Sequence, residues 1–184
     1  MALPSRRAAL VSAVVVWCGL VGLGLREMFA YATTRGDAAT TPERWPDDTN
    51  LERGAGATVV MFVHPSCPCS RASLAELATI DTAKATVIVV FAGPEVSGSA
   101  WDAASHDKRV VDDGSEAARF GARTSGYTVV YDRDGTLRFA GGITGSRGHT
   151  GANVGTDTVR QILAGATNTL TSHPVFGCPI GGGS

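Results

Sequence analysis

Residues 57–63, ATVVMFV, form an unbroken apolar run rich in β-branched side chains, and ATVIVVFAG from Ala85 repeats the pattern. A strand with one wet face alternates polar and apolar residues, so two runs without alternation predict strands buried on both faces. Between them RASLAELATI, from Arg71, sets Leu74, Leu77 and Ile80 at helical spacing, with Ser66 or Ser70 available as a cap. Strand, helix and strand make a βαβ unit, whose right-handed crossover places the two strands in parallel. The chain is thereby limited to an α/β sheet flanked by helices.

The remaining segments extend that start. KRVVDD carries a short strand at Val110 and Val111, and SEAARFGA a short helix that ends at Gly121. TVVYDRDGTLRFAGG predicts a hairpin turning at Asp132-Arg133-Asp134-Gly135, where Gly135 can take positive φ. TDTVRQILAGA, from Thr156, closes as an amphipathic helix on Val159, Ile162 and Leu163. At 184 residues and 43% hydrophobic content, the chain holds one ordinary domain, expected over 57–166, plus appendages.

One appendage is N-terminal. Arg6 and Arg7 precede an uncharged run from Ala8 to Leu25, which ends at Arg26 and Glu27. A run of this length reaches the lower edge of what crosses a bilayer as a helix, about 20 residues. The basic flank keeps the N-terminus in the cytoplasm and sends the rest across. Residues 1–31 are thus expected to be a cytoplasmic stub with an anchor; the run exceeds a usual signal-peptide core, and the alternative is cleavage after Ala30-Tyr31-Ala32. Cys18 lies in the apolar run as a bystander. Residues 32–56, polar and broken by Pro42 and Pro46, read as a linker, with Trp45 either docking on the domain or anchoring at the interface. A net charge of -1 and a pI near 6.4 remove nucleic acid from the partner classes.

The chemistry centres on HPSCPCSRASL, residues 64–74. A cysteine at a helix N-terminus faces free N–H groups and the positive end of the helix dipole, which stabilise its thiolate. Cys67 is in that place and is the expected nucleophile, with Cys69 close enough to resolve a mixed disulfide. A disulfide across the single Pro68 closes a tight ring, so it would be strained and oxidising. The tail, 167–184, carries Cys178 in SHPVFGCPI as a third redox thiol, a metal ligand or a structural partner. Three cysteines beyond the membrane run leave one thiol free after any single disulfide. A metal site is the competing reading: His64, Cys67 and Cys69, with His149, His173 or Cys178 as a fourth ligand, suit copper(I) or zinc. His64 with Pro65 is otherwise a strand end, buried structural thiols are the bland alternative, and His106 in ASHDKR reads as surface.

VMFVHPSCPC, followed by RFGARTSGYTVVYDRDGTLRFAGG, resembles the strand, cysteine motif, helix, turn and terminal hairpin of the thioredoxin-like fold over residues 55–166. More narrowly, HPSCPCSRASLAEL, TSGYTVVYDRDGTLRFAGGITGSRGHTGANVG and VFGCP are similar to a small group of membrane-tethered bacterial proteins called RedB. The broader resemblance implies a mixed sheet flanked by helices and thiol-disulfide oxidoreductase activity on protein thiols, which the N-terminal segment would place outside the cytoplasm. It needs no cofactor. It also implies that residues 141–155 return to the thiol edge, making Arg147 and His149 supporting residues. Two departures matter: the family spaces its cysteines by two residues, and it has a cis-proline where this chain has Thr124-Ser125-Gly126. Together with the anchor, the reading is a single-pass inner-membrane protein with a periplasmic redox domain.

Overall fold

The computed structural model describes residues 6–65, 67–93, 108–166 and 171–180; Ser66, His106 and the closing GGGS lie outside them. The chain divides into two compact units, one ending at Thr34 and the other starting at Arg35. The first is helix α1 (Arg6–Thr33), whose 28 residues are long and apolar enough to cross a membrane. At 1.5 Å per residue it is roughly 42 Å long, more than a hydrocarbon core of about 30 Å requires.

The second unit is built from β1 (Ala57–Val63), α2 (Pro68–Leu77), β2 (Ala85–Ala92), β3 (Lys108–Asp112), α3 (Ser115–Arg119), β4 (Tyr127–Tyr131), β5 (Leu137–Gly142), α4 (Val154–Leu163) and β6 (Thr171–His173). The strands form one sheet in the order β3-β2-β1-β4-β5-β6. β1 pairs in parallel with β2, Val59 opposite Val87, and antiparallel with β4, Phe62 opposite Tyr127. β4 and β5 form the expected hairpin, with Gly135 at φ +77 in its turn. A central βαβ unit followed by an antiparallel hairpin and a helix is the thioredoxin-like fold, here with β3 and β6 added at the edges.

Alternate residues of β1 and β2 serve two separate cores, which explains why neither strand alternates polar with apolar positions. Val59, Met61, Val87 and Val89 face α2 and α4 through Leu74, Leu77 and Val159. Val60, Phe62, Ile88 and Val90 face the other way, onto Phe120 and Tyr131. On that second face α3 is only 5 residues long. Something else has to cover it.

The cover is the segment expected to be a linker. Residues 35–56 run across the second face as a strap. Trp45 N donates to Gly135 O at 2.8 Å, and Glu43 O accepts from Leu137 N at 2.8 Å. Tyr131 donates its hydroxyl to Pro42 O at 2.8 Å, and Asn50 N reaches Glu116 Oε1 at 3.0 Å. Trp45 stands edge-on to Phe120 and Tyr131, with centroids at 5.2 and 5.3 Å, so its role is docking. An apolar face with one short helix among the described residues leaves room for such a lid, and polar residues outside with prolines between suit a chain that is extended yet not a strand. Trp45→Ala is expected to destabilise the domain by about 2–3 kcal/mol, somewhat less than truncating a fully buried ring. Urea unfolding of the full chain measures this, and a change within about 0.5 kcal/mol would show that the strap carries no load.

Three further differences concern element ends. α2 starts at Pro68 rather than Arg71, because proline at the first helical position has the right φ and lacks an N–H that would be unpaired anyway. Cys67 is its N-cap, and Ser70 lies within the helix. α4 starts at Val154, capped by Asn153, whose Oδ1 accepts from Thr156 N at 2.8 Å. β6, unexpected from sequence, pairs in parallel with β5, Gly141 opposite His173. A Cβ on Gly141 would sit 2.0 Å from His173 O, so this approach depends on glycine.

Candidate thiol site

The end of β1, the first turn of α2 and the loop before β4 are tied by one small network. His64 N donates to Ser125 Oγ at 2.8 Å, and Ser70 Oγ bonds both His64 O at 2.9 Å and Ser125 Oγ at 2.6 Å. Cys67 N donates to His64 O at 3.1 Å, and Ser70 N to Cys67 O at 3.0 Å. Ser70 and Ser125 are fully buried. The helix start that carries Cys67 is thereby fixed from both sides.

Cys178 is brought to this place by the tail. Val175 and Phe176 are buried, and Val175 O accepts from Gly36 N on the strap at 2.8 Å. Beyond them the chain pairs with the loop before β4: Ser125 N donates to Cys178 O and Ile180 N to Arg123 O, both at 2.8 Å, with an antiparallel bridge between Thr124 and Pro179. Arg147 Nη1 donates to Gly177 O at 2.5 Å. As a result Cys178 Sγ lies 2.8 Å from Cys67 Sγ. The sequence offered Cys69 or Cys178 as the partner of Cys67; Cys178, 111 residues away, is in direct contact with it, and Cys69 also hydrogen-bonds with Cys67.

The three thiols differ in charge state. Burial pushes the Cys67 thiol up, but hydrogen bonding with the Cys178 side chain and backbone, and with the backbones of Cys69 and Ser70, outweighs it, leaving Cys67 below its ordinary value. Burial raises Cys69, and the charge of Cys67 raises it further, against the pull of Arg147. Burial, the hydrogen bond to Cys67 and the charges of Cys67 and Cys69 push Cys178 up to about 12, with Arg147 again opposing. The negative charge therefore settles on Cys67, and once it does, the remaining S–H of Cys178 is its donor.

The other anticipated residues divide. Arg147 does reach the site, as an anchor of the tail and a nearby positive charge. His149 is exposed, with Nδ1 2.8 Å from Arg147 O. His64 contributes backbone groups, Pro65 is buried behind it, and Thr124 Oγ1 donates to Asp37 O at 2.7 Å, which ties the strap. His173 Nδ1 lies 3.2 Å from Pro174 O. Among the described residues no three His, Cys, Asp or Glu side chains are grouped to hold a metal ion. Sequence reasoning missed Glu76, buried on α2, which accepts from Gly151 N and, at 3.3 Å, from Thr156 Oγ1. It holds the loop carrying Arg147 against α2. Its signal was a glutamate next to Leu77 on the inward face of a short helix.

No family model matches this sequence, and no curated protein matches it. Among solved structures it is similar to a hypothetical protein from Sinorhizobium meliloti 1021, with TM-score 0.54 and 25% identity over 81% of this chain and 94% of that one. It is also similar to an uncharacterized conserved protein from Geobacillus kaustophilus, with TM-score 0.53 and 20% identity over 80% and 91% of the two chains. A secreted Mycobacterium tuberculosis disulfide oxidoreductase homologous to E. coli DsbE aligns more loosely, with TM-score 0.42 and 19% identity over 61% and 83%.

Proposed function

We propose that this chain is a membrane-tethered thiol-disulfide oxidoreductase whose working pair is Cys67 and Cys178. The observation that carries the reading is the 2.8 Å contact between their sulfurs, made across the fold by a tail that the sheet holds in place. Two thiols so placed, one with a lowered and one with a raised pKa, suit reversible formation of a disulfide. Cys69 is the reserve thiol.

The tether is α1, and the basic Arg6 and Arg7 before it favour a domain on the periplasmic side of the inner membrane. An oxidising compartment agrees with a disulfide that works. The partners are protein thiols or disulfides there. Membership of the RedB group is part of this reading, supported by HPSCPC at the helix entrance and VFGCP in the tail.

The test uses the full chain in detergent with Cys18→Ser, so that no membrane thiol confuses the result. After mild oxidation, tryptic mapping should show one disulfide joining the peptide that ends at Arg71 to the C-terminal peptide after Arg160, and fragmentation between Cys67 and Pro68 should place the link on Cys67 with Cys69 free. A Cys67 to Cys69 disulfide, reduced thiols throughout, or bound copper or zinc would overturn the assignment.

A further inference from the structure

The two cysteines of the pair differ in exposure. Cys67, the N-cap of α2, is 2% exposed, and Cys69, in its first turn, 6%. Cys178 is half-buried, on a tail segment fixed by a few main-chain bonds. Of the three cysteines at the site, Cys178 is the most exposed residue. We propose that electrons enter through the tail: the thiolate of an external dithiol attacks Cys178 Sγ, not Cys67, and the chain acts as an oxidant of dithiols. This inference rests on Cys67 and Cys178 being the working disulfide.

The bonds balance within the two partners. The donor thiolate forms an S–S bond to Cys178 as the bond between Cys178 and Cys67 breaks, and the electron pair leaves on Cys67. The donor's second thiolate then attacks its own first sulfur, completes its disulfide and expels the Cys178 thiolate, which takes up a proton. The donor loses two electrons and the chain gains them.

Chemistry favours this direction as well as access does. Exchange is faster when the departing thiol has the lower pKa, and a stabilised reduced form makes the disulfide more oxidising. Cys67 is the thiol whose ionised form the site stabilises. Attack at Cys67 would instead need entry to a buried sulfur and would expel Cys178, whose thiolate is disfavoured there.

The experiment starts from the oxidised full chain with Cys18→Ser, its disulfide already mapped. Reduced glutathione, a monothiol that halts after the first step, is added and the reaction is quenched with acid at early times. Glutathione should be found on the C-terminal peptide with Cys67 free, in about ten-fold or greater excess over adduct on the Cys67 peptide. Dithiothreitol, a dithiol, should carry the same protein through to full reduction without a stable adduct. Glutathione first on Cys67 or Cys69, or shared equally, would overturn entry at the tail while leaving the disulfide pair intact. If the starting disulfide never forms, the function proposed above fails first, and the two failures are told apart before any glutathione is added.

Discussion

Cys67→Ser should lower the rate of dithiol oxidation by about 10²-fold or more, because it removes the one sulfur whose thiolate the site favours. The thiols left, Cys69 and Cys178, are both raised by burial in the wild-type site. Folding should survive the change. Cys67 is the N-cap of α2 with extended backbone angles and no side-chain cap bond, and serine is among the preferred residues at such a position. A thermal melt unchanged or slightly raised would therefore separate lost chemistry from lost structure. Oxidised glutathione should now leave a persistent adduct on Cys178, which has no Cys67 to displace it. Ultraviolet titration of the reduced wild type should show one thiolate appearing below the ordinary thiol range of about 8.5, and this step should vanish in the variant. Cys69→Ser serves as the contrast, since it leaves the contacting pair in place. Wild-type exchange by Cys67→Ser would remove Cys67 from the mechanism.

The central sheet was legible because β1 and β2 show their double burial in runs without polar-apolar alternation, and the helix entrance because two cysteines stand at a strand end. The onset of α2 was misread by three residues since Cys-Pro-Cys resembles a loop; Pro68 at the first helical position was the signal. The strap was illegible for a different reason. Its backbone bonds are scattered singly along the second face, so they impose neither the period of a strand nor that of a helix, and their partners lie far off in sequence. The tail had the same difficulty. Thr171–His173 is too short and polar to announce a strand, and its pairing depends on glycine at 141, in another element. The sequence could raise Cys178 as a third thiol, but its place beside Cys67 comes from the pairing of residues 178–180 with 123–125, which the sequence does not show.

Gly177→Ala should have the second large effect, on the disulfide rather than on the domain. A Cβ at Gly177 would lie 2.0 Å from Ser125 O and 3.0 Å from Ser125 C, and these are backbone atoms that cannot turn aside. The conflict is one of space, because Gly177 has no positive φ. The tail must move away there, losing the bond from Ser125 N to Cys178 O and the Arg147 contact with Gly177 O. Val175 and Phe176 remain to hold the preceding residues, so the sheet and both cores should stay folded. Cys178 then meets Cys67 only by random closure of a free end, at an effective concentration near the millimolar level of a flexible tether, well under that of a prepositioned pair. In a glutathione redox titration the disulfide should become about 10²-fold easier to reduce, a rise in potential of about 60 mV for a two-electron couple. An unchanged potential would mean that docking of the tail contributes nothing to the pair, and that the contact between Cys67 and Cys178 is a property of flexible proximity alone. A shifted potential with unchanged thermal stability would instead assign the redox poise to a few backbone hydrogen bonds along residues 123–125. The same bonds hold the half-buried Cys178 beside Cys67, so the poise of the disulfide and the route of electrons into it would share one structural cause.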